Sequence, residues 1–176
     1  MNAKLSANRD LATLYMIGSI HESYTICEPF GENKKQEWGN FIPPSEESIH
    51  KIIFWDGTIK NTSYLYKAIH YLKEDTPQEK AYDEHDKLKL GWIYERLGET
   101  KKAILLLEET FKTESQKIDK SFACKEGQCG ELMATVESLQ LLHRIYQKKG
   151  DKKKMKEYDQ LIKYYEKKRI FSDALI

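Results

Sequence analysis

Two cysteines in the C-terminal half of the sequence could bind a metal ion. Cys124 and Cys129 are separated by four residues, and such a pair of thiolates could supply two of the four ligands of a tetrahedral zinc ion. The other two ligands would have to come from Cys27 and from His21 or His143, and no second paired motif is present. A disulfide or redox pair is another interpretation. We favour a third, free thiols in a loop, and therefore predict no metal ion and no cofactor.

A histidine–aspartate dipeptide offers a second kind of chemistry. His85 and Asp86 are adjacent, and the pair resembles the dipeptide of the metal-dependent HD-type phosphohydrolases, which are all-helical and take further His and Asp ligands from elsewhere in the chain. This resemblance implies a small helical phosphohydrolase as the alternative function. An acidic residue in the first turn of a helix also complements the helix dipole without any catalytic role. We expect no catalytic residue here, and the protein is predicted not to be an enzyme.

The segment 84–112 has the clearest structural pattern in the sequence. Leu90, Ile93, Tyr94 and Leu97 are spaced as one buried stripe of an amphipathic helix, and Gly98 follows where a left-handed C-cap is expected. The helical period then resumes. The second helix carries apolar residues at Ala103, Leu106 and Leu107. The segment is therefore predicted to form a helical hairpin.

This hairpin resembles the tetratricopeptide repeat, a 34-residue unit of two antiparallel helices. The positions that carry the resemblance are Leu90-Gly91, Tyr94, Gly98, Ala103 and Leu107. The closing Ala and Pro of the family are replaced by Thr110 and Ser115, so the unit is a degenerate copy. The resemblance implies a stack of antiparallel hairpins, a short solenoid, that binds another protein or a peptide.

A second hairpin is predicted over residues 131–168, where Gly150 ends the first helix as Gly98 does in the first hairpin. We expect an all-α fold and a single helical-repeat domain over residues 1–176, with loop insertions at about 27–44 and 113–130. The range 112–130 is either an extension of the preceding helix followed by a loop or a long loop throughout. Between Cys27 and the first clear hairpin, shorter helices are predicted over 45–55 and from Asn61 or Thr62.

The composition limits the class of protein. The chain has 176 residues, 32% of them charged, with a formal net charge of +1, four prolines and nine glycines. These values fit a folded helical protein and argue against a disordered chain or a basic nucleic-acid-binding protein. No apolar run approaches the roughly 18 residues of a membrane span, and we expect no signal peptide. We therefore expect a cytoplasmic protein with no membrane or nucleic-acid partner.

The lysines of the last predicted helix have two possible roles. They could contact phosphates or acidic lipid, but Glu157, Asp159 and Glu166 interrupt them and no aromatic stacking motif accompanies them. A solvated helix face is the interpretation that we favour.

The predicted function is a non-enzymatic interaction module, either an adaptor or a subunit of an assembly. In tetratricopeptide stacks, the first helix of each hairpin lines a groove that holds the partner, so the resemblance selects partner-binding residues by position. They are His85, Leu88, Trp92, Glu95 and Arg96 in the first hairpin, and Gln140 and Arg144 in the second. Trp92 beside Arg96 would be the main anchor if it is exposed. The alternative is that Trp92 packs against the neighbouring hairpin or against the aromatic residues of the predicted loop at about 27–44.

Overall fold

The protein is all-helical throughout the residues that the structure describes. The computed structural model describes residues 3–21, 52–53, 55, 57–74, 83–120 and 129–173, and these contain no strand. Six helices have bounds within the described residues: α1 (Ala3–Ile20), α2 (Thr62–Glu74), α3 (Glu84–Arg96), α4 (Thr100–Lys120), α5 (Cys129–Lys149) and α6 (Lys152–Asp173). The all-α prediction is confirmed for this part of the chain. The chain divides into two compact units, Met1–Lys80 and Ala81–Ile176, and the single domain over 1–176 stays a prediction.

In the first unit, α1 and α2 pack against each other. Leu65, Ala68 and Leu72 form the buried stripe of α2, as their spacing predicts. Tyr15 of α1 is fully buried; its ring stacks on Tyr71 at 5.6 Å between centroids. The predicted loop at 27–44 lies outside the described residues.

The second unit begins with the α3–α4 hairpin. Asp83 caps α3 by accepting a hydrogen bond from the backbone N–H of Asp86 at 2.9 Å. Gly98 closes the helix at φ 78°, a conformation that favours glycine. The two helices approach closely because Gly91 has no side chain: a Cβ there would lie 2.7 Å from Leu107.

The α5–α6 hairpin follows, closed by Gly150 at φ 71°. Asp151 caps α6 by accepting from the backbone N–H of Lys154 at 3.0 Å. Inside the hairpin, the rings of Tyr146 and Tyr158 stack with centroids 5.5 Å apart. The hydroxyl of Tyr158 donates to Glu108 of α4 at 3.1 Å, which connects the second helices of the two hairpins.

Part of the range predicted as a loop, about 113–130, is helical, because α4 continues to Lys120 and α5 begins at Cys129. Of the two alternatives for this range, the helical extension is the one observed. Glu114 and Ile118 are both buried. They continue the buried stripe of Ala103, Leu107 and Thr110 by further helical turns.

Candidate functional site

The first helices of the two hairpins, α3 and α5, meet at one buried carboxylate. Glu95 accepts a hydrogen bond from Arg144 Nη2 at 3.0 Å and another from Lys148 Nζ at 2.5 Å. Arg96 Nε also lies 3.2 Å from Glu95 Oε2. The four side chains are called the Glu95 site below. Residues 144 and 148 are one helical turn apart, which places both cations on the face of α5 that meets α3.

The electrostatics of the Glu95 site follow from burial and from an excess of cations. The side chain of Glu95 is only 3% exposed. Burial by itself raises its pKa, but the hydrogen bond from Lys148 and the charges of Arg144 and Arg96 outweigh this, so the pKa of Glu95 lies below its ordinary value. One carboxylate therefore stays ionised among three cationic groups.

The structure brings together most of the residues that the repeat register selects, but it buries several of them. Every residue from Asp86 to Glu95 is buried, which includes Leu88 and Trp92. His85 is exposed, whereas Arg96, Gln140 and Arg144 are partly buried. The expectation of an exposed Trp92 is wrong: its exposure is 0%. This burial agrees with the alternative of a packed Trp92. The partner-binding role of the seven residues stays a prediction.

Several polar atoms of the predicted groove are buried without a hydrogen-bond partner among the described residues. Trp92 Nε1 and Gln140 Oε1 are two of them. Arg96 lies over the ring of Trp92, with its guanidinium carbon 5.4 Å from the ring centroid, so it covers a face of the indole and contacts Glu95 as well. Buried polar atoms without partners are uncommon in folded proteins, and both of these lie one helical turn before residues of the Glu95 site.

The histidine–aspartate dipeptide does not form a cluster of metal ligands in the structure. His85 is exposed while Asp86 is buried, so the two side chains have different environments. The buried ammonium group of Lys87 lies 3.3 Å from Glu84 Oε2 and 2.8 Å from Glu109 Oε1. Within the described ranges, no group of three or more His, Cys, Asp or Glu side chains could hold a metal ion. No observation favours the phosphohydrolase alternative.

The cysteine interpretations cannot be compared in this structure. Cys124 and Cys27 lie outside the described residues, and Cys129 is the first residue of α5. The three interpretations of the Cys124–Cys129 pair stay open.

Two features of the site were missed by sequence reasoning. Lys148 follows the predicted Gln140 and Arg144 at helical spacing, so the sequence contained a signal that it shares their face. The burial of Lys87 between Glu84 and Glu109 had no such signal, because Glu109 is 22 residues away in sequence.

Comparison with known proteins gives no further identification. No family model, no curated protein and no solved structure matches this chain. No helix within the described residues is long and apolar enough to cross a membrane.

Proposed function

We propose that this chain is a non-enzymatic interaction module, an adaptor or assembly subunit, in which a short tetratricopeptide-like stack of hairpins binds a protein or peptide partner. The observation that carries the proposal is the contact between α3 and α5, the first helices of successive hairpins, through the Glu95 site. In a helical repeat, neighbouring first helices line one common face. The proposal keeps the cytoplasm as the expected compartment.

The burial of α3 narrows the surface that a partner would use. Leu88 and Trp92 are buried, so they act as the support of this face and not as its contact residues. The selected residues that are not fully buried are His85 and Arg96 on α3 and Gln140 and Arg144 on α5, and they are called the edge of this face below. We assign the partner contact to this edge.

The test is a pull-down with the full chain as bait, comparing the wild type with the double variant His85→Ala/Gln140→Ala. Neither side chain has a hydrogen bond or ion pair within the described part of the chain, so the fold should be retained. We expect recovery of a partner to fall about fivefold or more, equivalent to a loss of about 1 kcal/mol in binding.

A matched control removes two exposed side chains from the second helices instead. Gln116→Ala/Gln160→Ala changes α4 and α6 at exposed positions and should leave recovery unchanged. Equal recovery with both double variants would reject this edge as the binding surface.

A further inference from the structure

A dense group of lysines surrounds the turn between α5 and α6. Six of the nine residues from 148 to 156 are lysines. This lysine cluster consists of Lys148, Lys149, Lys152, Lys153, Lys154 and Lys156. All are exposed except Lys154, which is partly buried. The acidic residues nearest in sequence are Asp151, which caps α6, and Glu157, which pairs with Lys154.

Half of the lysine cluster has no partner within the described part of the chain. Lys148 binds Glu95, Lys149 lies 5.0 Å from the ring centroid of Tyr146, and Lys154 binds Glu157. By contrast, the side chains of the remaining lysines have no hydrogen bond, ion pair or ring contact there; they are Lys152, Lys153 and Lys156. They are neighbours on the surface of α6, at spacings of three and four residues, where like charges repel.

These lysines also oppose the dipole of their own helix. The first turn of α6 contains no acidic residue, although the N-terminus of a helix favours negative charge. Lys148 makes the cluster continuous with the Glu95 site, where Arg96 and Arg144 share one carboxylate. The local field is therefore positive over the end of α5 and the start of α6, and an anionic partner would relieve the repulsion.

The surroundings of the lysine cluster argue against two classes of anionic partner, nucleic acid and an anionic membrane surface. Recognition of single-stranded nucleic acid combines cationic side chains with accessible rings for stacking. The nearest rings, Tyr146 and Tyr158, are buried and stack on each other, so they are not available to bases. Binding to an anionic membrane surface uses exposed apolar side chains beside the basic ones. The large exposed apolar residues of the described chain are Trp55, Tyr66, Leu105 and Tyr164, and none lies within the cluster.

We propose that the lysine cluster is a docking surface for an acidic segment of a partner protein, whose Asp and Glu side chains pair with Lys152, Lys153 and Lys156. Carboxylates on a flexible segment match separate, mobile ammonium groups without the fixed geometry that arginine imposes. The inference rests on the proposed function, because it specifies the chemistry of the partner that such a module binds.

The experiment measures binding of a fluorescein-labelled poly-L-glutamate peptide to the full chain by fluorescence anisotropy. The variant Lys152→Glu/Lys153→Glu/Lys156→Glu is compared with Lys73→Glu/Lys101→Glu/Lys112→Glu, which changes the net charge equally at exposed lysines elsewhere. We expect the first variant to bind at least about tenfold more weakly than the wild type, and the second to stay within about threefold. Binding by the wild type should weaken when salt shortens the Debye length to about 8 Å.

We expect the variant Lys152→Glu/Lys153→Glu/Lys156→Glu to fold, so weaker binding by it would not result from unfolding. Glutamates in the first turn of α6 complement the helix dipole, so thermal unfolding followed by circular dichroism should show the first variant to be as stable as the wild type. The same two variants are also measured with single-stranded RNA and with phosphatidylserine vesicles.

Three results would overturn the inference. They are no binding of the peptide by the wild type, an equal loss in both variants, and tighter binding of RNA or vesicles than of the peptide. None of these depends on the pull-down with His85→Ala/Gln140→Ala. A partner lost in that variant but bound normally by the lysine variant would leave the proposed function standing and reject the acidic segment.

Discussion

The two hairpins of the second unit close in the same way but fill the space between their helices differently. With a shift of 52 residues, Tyr94 matches Tyr146 and Gly98 matches Gly150. In both turns the residue after the glycine donates its backbone N–H to the tyrosine carbonyl, Glu99 to Tyr94 at 2.8 Å and Asp151 to Tyr146 at 3.1 Å. This is the Schellman pattern.

The contacts inside the hairpins diverge from that common turn. Gly91 allows Leu107 to approach the backbone of α3, whereas the matched position in α5 is His143, and the hairpin is filled by the stacked rings of Tyr146 and Tyr158. The matched position of Glu95 is Gln147, which is exposed. The same closing turn therefore supports two kinds of packing, and the first hairpin supplies Glu95, the buried carboxylate that joins the first helices of the two hairpins.

The largest expected effect comes from removing that carboxylate. Glu95→Gln removes the negative charge that lies beside Arg96 and Arg144, and we expect it to lower the free energy of unfolding by about 3 kcal/mol at neutral pH. Urea unfolding measures this. Gln147→Glu places a carboxylate at the matched, exposed position and should change stability by less than about 0.5 kcal/mol.

The pH dependence gives a second measurement on the same variant. The pKa of Glu95 in the folded protein is lowered from 4.5, so its contribution is fully present above that value and is lost as the pH falls through the folded pKa. The difference in stability between the wild type and Glu95→Gln should therefore shrink below pH 4.5. A constant difference down to the acid transition would show that the charge of Glu95 does not stabilise the site.

The next largest effect should distinguish the two kinds of packing. Gly91→Val introduces a side chain where a Cβ alone would lie 2.7 Å from Leu107, and we expect a loss of about 2 kcal/mol from the strain of overpacking. The matched change His143→Val lies at a partly buried position and should cost less than about 1 kcal/mol. Urea unfolding of both variants makes the comparison, and equal losses would mean that Gly91 has no special packing role.

The sequence could predict the parts of this fold that depend on local pattern. The apolar stripe of α3 and the glycines that end α3 and α5 were visible because a helix repeats every few residues and glycine tolerates positive φ. The extension of α4 had a weaker signal in Ile118, one helical turn beyond Glu114 and thus on the same stripe. The presence of a helix was therefore easier to predict than the residues at which it begins and ends.

The burial of α3 could not be predicted in this way. Lys87, Lys89 and Glu95 are polar, yet all three are buried, and no periodic pattern marks a polar residue as buried. Glu95 is buried because Arg144, 49 residues away in sequence, reaches it. Trp92 was selected as a groove-facing anchor, but whether such a position is open depends on tertiary packing. The burial and the contacts of the Glu95 site therefore could not be predicted from the sequence.

The two turn glycines should behave alike, although the hairpins differ. A Cβ at Gly98 or Gly150 would meet no atom within 4 Å, so Gly98→Ala and Gly150→Ala should cost only the conformational penalty of positive φ, about 1 kcal/mol each. Thermal unfolding of the two variants is the measurement. A difference of more than about 1 kcal/mol between them would mean that the turns are not equivalent.

The smallest effect concerns the connection between the second helices. Tyr158→Phe keeps the ring stacked on Tyr146 but removes the hydrogen bond to Glu108, which is exposed. Since water can solvate that carboxylate once the hydroxyl is gone, we expect a loss of only about 0.5 kcal/mol. Tyr146→Phe removes a hydroxyl from the same stack that has no hydrogen bond within the described residues, so it should be closer to neutral.

The ionisation of Tyr158 provides an independent check on that hydrogen bond. Burial raises the pKa of Tyr158, and the negative charge of Glu108 with its hydrogen bond raises it further. In a spectrophotometric titration, Tyr158→Phe should therefore contain one fewer late-ionising tyrosine than the wild type; Tyr146, whose pKa is also raised by burial, remains in both. An unchanged number of late-ionising tyrosines in Tyr158→Phe would show that the ring of Tyr158 is not held against the first hairpin as the structure shows.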